Sequence, residues 1–140
     1  METKQVIVIR TDLKNTKGEK VRSGKLLAQV AHASIAWITN RLREGNTKHL
    51  ADDSMTVSFN LTLAEWNWSN GIFKKIVCTV DSEADLRDIH QKALDAGLRS
   101  YFIEDHGLTE FGGILTPTCV GIGPDTPERI DPVTRHLKLG

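Results

Sequence analysis

"KQVIVIRTDLKNTKGEKVRSGKLLAQVAHASIAW" (Lys4–Trp37) holds two hydrophobic patterns separated by a cationic loop. Lys4–Leu13 is β-branched and nearly continuously apolar at its centre, the pattern of a strand buried on both faces. After the loop, Ser23 is placed to cap a helix running from about Gly24 to Arg43, which Gly45 and Asn46 end. A buried strand feeding a long helix opens an α/β fold.

The rest of the chain continues the alternation. "FKKIVCTV" (Phe73–Val80) reads as a second strand, and Asp81 or Ser82 caps the helix "SEADLRDIHQKALDAG", which Gly97 stops. "RSYFIED" (Arg99–Asp105) is a third strand and "PTCVGIG" (Pro117–Gly123) a fourth. All four prolines fall at or after Pro117, so "ERIDPVTRHLKLG" reads as turns and an extended tail. The order β-α-β-α-β-β predicts a compact three-layer α/β sandwich, with a mixed four-stranded sheet flanked by helices. The crossovers favour parallel, right-handed neighbours and the last pair is antiparallel. Residues 1–140 form one domain without internal repeats. Residues 46–71 read as an insertion in it, carrying Trp66 and Trp68. "LTLAEWNW" offers a capping box from Thr62 to Glu65, so a short helix packed on its own domain is expected, with a second chain as the other way to cover the tryptophans.

Composition excludes several classes. With 39% apolar and 26% charged residues the chain is globular. No apolar run approaches the roughly 20 residues of a membrane span, and the N-terminus lacks a secretory pattern. Cys78 and Cys119 sit inside apolar runs and read as reduced thiols of a cytoplasmic protein. No paired Cys and His spacing suggests a metal, no Gly-rich loop suggests a nucleotide cofactor, and no GxSxG elbow is present. Net charge is zero, but residues 1–50 carry ten Lys and Arg against four Asp and Glu, and residues 51–140 carry eight against fourteen. Lys14–Lys25 alone holds five cations and one anion. Such a loop is either plain solvated surface or a landing patch for phosphates.

Two groups of residues carry chemistry. On the first helix Lys25, Gln29 and His32 fall at i, i+4 and i+7, a polar stripe beside Ala36. Leu26, Leu27, Val30, Ala33, Trp37 and Ile38 spread over the opposite side, so the stripe is expected to face away from the core. The small residues around His32 leave room for a ligand. In "EDHGLTEFGGILTPT", Asp105 ends a strand and Thr109, Thr116 and Thr118 supply hydroxyls near it. A cation, a base, a carboxylate and neutral donors together suit ester hydrolysis, which needs an activated water and a partner for the oxyanion. The sequence alone does not bring them together.

"RTDL", "GKLLAQVAHA", "EDHGLT", "CVGIGP" and "IDPVTRHLKL" resemble, in this order, the signature stretches of the archaeal and eukaryotic type of peptidyl-tRNA hydrolase. The resemblance implies a cytoplasmic enzyme that cleaves the ester between a peptide and tRNA, without a metal or organic cofactor, and that often forms a homodimer. It places Lys25, His32, Asp105, Thr109 and Thr118 among the catalytic residues. It makes Gln29 and Thr116 candidate substrate contacts; Arg10 is a further candidate, and the cationic loop, which lies outside the resemblance, offers Lys14, Lys17, Lys20 and Arg22 to tRNA phosphates. His106, Leu108, Glu110, Leu115 and Arg135 depart from the family pattern, and a carboxylate at position 110 should weaken phosphate contacts nearby. A non-catalytic relative that binds RNA ends or a protein through the same groove is the alternative. Which residue acts as base is left open.

Overall fold

The computed structural model describes residues 1–140. A mixed sheet forms the middle layer, in the order β5-β6-β1-β4-β7. Strand β1 (Lys4–Arg10) pairs parallel with β4 (Lys75–Val80) and antiparallel with β6 (Thr116–Asp125); β6 also pairs antiparallel with β5 (Ser100–Asp105). The sheet thus has five strands rather than the expected four. The fifth, β7 (Lys138–Leu139), pairs with Cys78 and Thr79 of β4. The expected neighbour relation also holds only once: β4 and β5 run parallel but are separated by β1 and β6.

Helices cover both faces. Alternate residues of β1 explain the split: Val6 and Val8 join the cores of α3 (Glu83–Asp95) and α4 (Pro127–Thr134), while Ile7 and Ile9 face α1 (Ser23–Glu44). The C-terminal stretch is therefore a helix and a strand rather than an extended tail. Pro127 occupies the first turn of α4, where no N–H is missed, and Ile130 and Val133 bury against α3 and the sheet. No helix is long and apolar enough to cross a membrane.

The segment from Asn46 to Gly71 folds onto its own domain. A hairpin of β2 (Asn46–His49) and β3 (Met55–Ser58) leads to α2 (Leu63–Asn70), opened by the expected capping box between Thr62 and Glu65. Trp68 is 2% exposed, stacks edge-on against Trp37 at 5.9 Å and donates its indole N–H to the Lys74 carbonyl at 2.8 Å. Trp66, by contrast, is 56% exposed. One tryptophan anchors the segment and the other lies outside. Beneath them Arg41 donates to Glu65 at 2.6 Å in a buried ion pair.

Helix α1 sits unusually close to the sheet at one point. A Cβ on Gly121 of β6 would lie 2.3 Å from the Ala33 carbonyl, so only glycine permits this approach. The contact centres the buried face of α1 on Ala33. Gln29 and Ala36 consequently fall on the shoulder of that face and are buried, whereas Leu27 is 68% exposed. The expectation that the polar stripe faces away from the core fails for that reason. Ser23 is likewise the first helical residue rather than the cap.

Candidate active site

Three elements converge where β5 ends. Lys25 comes from the first turn of α1, Asp105 from the end of β5, and Thr118 from β6, one strand inward. The turn after Asp105 is tight. Gly107 has φ +76°, and a Cβ there would lie 2.4 Å from the Ile114 carbonyl, so the chain doubles back only through glycine. This returns Thr109 and Glu110 toward the start of α1.

The side chains form one hydrogen-bonded cluster. The Lys25 ammonium donates to Asp105 Oδ1 and to Thr109 Oγ1, each at 2.9 Å, and lies 5.8 Å from the Phe111 ring centre. Gln29 Nε2 donates to the same Asp105 oxygen at 3.1 Å, and the Gly107 N–H donates to Oδ2 at 2.8 Å. Behind them the Thr118 hydroxyl donates to Gln29 Oε1 at 2.7 Å. That bond fixes which end of the amide faces Asp105. The Cys119 thiol donates to the Gln29 carbonyl at 3.2 Å and ties the helix backbone to β6. Burial pushes this thiol up to about 12, so it stays protonated and structural.

Electrostatics favour the ionised carboxylate. Burial alone would raise the Asp105 pKa, but hydrogen bonds from Lys25, the Gly107 N–H and Gln29, with the Lys25 charge, hold it below the usual carboxylate value. An anion so well satisfied is a weak proton acceptor.

Two clefts lie in this region, the first of them bordered by the cluster. One, about 450 Å³, is bordered by Gln29, His32, Asp105 and His106 and runs along α1 and β5. His32 is exposed in it and makes no side-chain hydrogen bond. The other, about 250 Å³, is lined by Arg10, Lys14, Asn15, Phe111 and Thr116. Thr116 lies across from Asp105 in the strand register, and its hydroxyl donates to the Ile114 carbonyl at 2.9 Å, outside the main cluster.

The cationic residues divide into free and engaged. Lys14, Lys17 and Lys20 are exposed on a turn shaped by Asn15, whose side chain accepts from the N–H groups of Lys17 and Glu19, and none of the three is in an ion pair. Arg10 is 12% exposed at its side chain, with its fork on Asp12 at 2.8 Å twice and on the Pro117 carbonyl at 2.9 Å. Arg22 pairs with Glu110, whose other oxygen accepts the Arg22 backbone N–H at 3.3 Å. Arg10, expected as a substrate contact, and Arg22, expected as a phosphate contact, are thus both paired with carboxylates of the protein. Phe111 is not anticipated from sequence as part of the site, and His106 and Glu110 are marked there only as departures from the family pattern. Glu110 serves as the missing cap of α1 from 88 residues away, which no local pattern signals.

A family model described as "Peptidyl-tRNA hydrolase PTH2" matches residues 3–140. The chain belongs to the peptidyl-tRNA hydrolase PTH2 family. It is 35% identical over 136 residues to the peptidyl-tRNA hydrolase of Methanothermobacter thermautotrophicus, covering 97% of this chain and 98% of that relative. The Methanopyrus kandleri peptidyl-tRNA hydrolase is 37% identical, with 97% of each chain covered. A probable peptidyl-tRNA hydrolase 2 from Dictyostelium discoideum is 34% identical over 99% of this chain and 55% of its own length.

Proposed function

We propose that this protein hydrolyses the ester joining a peptide to the 3′ end of tRNA, in the cytoplasm where such substrates arise. The observation that carries the reading is the single cluster of Lys25, Asp105, Thr109, Gln29 and Thr118, assembled from α1, β5, β6 and one turn in a member of this family.

The chemistry follows from the donors and acceptors. Ester hydrolysis places negative charge on the carbonyl oxygen in the transition state and requires a proton for the leaving 3′ oxygen. Lys25 has three N–H donors; two are engaged and the third serves the oxyanion. Thr109 accepts from Lys25 and passes a proton to the leaving oxygen, taking one from the ammonium in exchange, which solvent then restores. Asp105 holds the ammonium in place and orients the attacking water. Because it is weakly basic, the proton of that water passes to His32, in the same cleft. Gln29 and Thr118 are buried at 2% and 0% exposure, so their role is to position Asp105 rather than to touch substrate. Lys14, Lys17 and Lys20 attract tRNA phosphates, while Thr116 and Arg10 shape the cleft between that loop and the cluster.

The test is release of labelled peptide from peptidyl-tRNA by the purified protein. Turnover above the uncatalysed rate supports the proposal, and none at high enzyme concentration refutes it.

A further inference from the structure

The cleft beside Asp105 exposes something other than side chains. Strand β5 is the edge of the sheet and pairs only with β6. The Arg99 carbonyl accepts from the Gly123 N–H at 3.0 Å, on the β6 side, and the register sets Tyr101 and Ile103 opposite Gly121 and Cys119. Backbone groups of an antiparallel strand alternate in direction, so the N–H and C=O of Phe102 point outward. The Phe102 side chain packs toward the α3 core and that of Ile103 toward α1, yet both residues line the cleft. A cleft touching both faces of one strand wraps its edge.

We infer that this open edge of β5 binds the peptide part of the substrate as an added parallel strand, through main-chain hydrogen bonds to Phe102. The inference rests on the function proposed above. Charge sorts the two halves of the substrate: exposed Lys14 lines the other cleft, and Lys17 and Lys20 follow it on the same cationic loop, where phosphates are drawn. The β5 cleft holds Arg43 against Glu104 and Asp105, with apolar Ile35, Ala36 and Ile103. Direction follows from the chemistry. The ester is the C-terminus of the peptide and must sit at Asp105, the C-terminal end of β5, so the peptide runs back along the strand in the same sense. Three residues at roughly 3.3 Å each separate Asp105 from Phe102, so about four peptide residues are needed to reach it. Main-chain pairing also suits the task, because it is indifferent to the peptide's sequence.

The experiment measures kcat/KM for tRNA carrying N-acetylated alanine chains of one to six residues. We expect a rise of about tenfold between two and five residues, the scale of two net hydrogen bonds, followed by a plateau. N-methylation of the third amide from the ester should abolish the rise, whereas exchanging alanine side chains for serine or valine should not. Phe102→Pro, which removes the outward N–H together with the ring, should bring the ratio of long to short substrates near one, and Phe102→Leu, which removes the ring and keeps the N–H, should preserve it. A length-independent rate, or a gain that follows side chains and ignores N-methylation, overturns the inference. So does a gain that instead follows shortening of the tRNA acceptor strand, which would assign the cleft to RNA. Absence of release from every substrate, the shortest included, would overturn the functional reading itself.

Discussion

Replacing Thr118 by valine removes one hydroxyl from the interior and leaves the shape nearly unchanged. Thr118 is fully buried, and its hydroxyl supplies the hydrogen bond to Gln29 Oε1 at 2.7 Å, itself on a side chain 2% exposed. Without it the amide oxygen is buried with no donor, which costs about 1–3 kcal/mol. Turning the amide over gives no relief, because its oxygen would then face the Asp105 carboxylate now reached by Nε2 at 3.1 Å. For a domain of this size the loss corresponds to a fall in Tm of roughly 3–10 °C. Turnover should drop about tenfold, since Asp105 loses a fixed donor without losing its lysine. Thermal melts and peptide release on the same preparations read both effects. The decisive comparison adds Gln29→Leu. Removing both partners leaves no orphan, so the double variant should cost clearly less stability than the sum of the single ones. Strict additivity, or a Thr118→Val protein unchanged in both stability and turnover, would refute the positioning role of the Thr118–Gln29 pair.

Three other outcomes are expected. Trp68→Ala should cost about 3–5 kcal/mol in urea unfolding because it empties a buried site, while Trp66→Ala should stay within about 0.5 kcal/mol; equal costs would contradict the packing of α2. The depressed pKa of Asp105 means that its charge, and the stability it lends, are present above its ordinary value of 3.8 and fade only as pH falls through the lower folded value. Asp105 should therefore give no limb in kcat/KM above about pH 4. His32→Gln should lower turnover at neutral pH by about 10²-fold, and near-normal turnover would assign the base elsewhere.

The βαβ alternation was legible because strands buried on both faces and helices with good caps carry their signal locally: Ser82 caps α3, and Thr62 with Glu65 opens α2, as their spacing indicates. The parts that were not legible depend on partners distant in sequence. Strand β7 is two residues long and exists only because β4 offers an edge. The side of α1 that is buried is decided by Gly121, some 90 residues away, which lets Ala33 touch the sheet and turns Gln29 inward. The spacing of Lys25, Gln29 and His32 put the three on one helical face, and the family resemblance made that face a wall of the site, but spacing cannot separate the buried Gln29 from the exposed His32. Nor can it show that Arg10 and Arg22 are already held by Asp12 and Glu110. Trp66 and Trp68 differ by two residues on a helix, and tertiary contact with Trp37 alone selects the second.

The most direct test of the account is the single-turnover rate of peptide release by Asp105→Asn. This variant keeps the size of the side chain and removes the charge that holds Lys25 at 2.9 Å. The account predicts a loss of about 10²-fold or more from a protein that still melts cooperatively. A folded Asp105→Asn protein releasing peptide at close to the wild-type rate would contradict it.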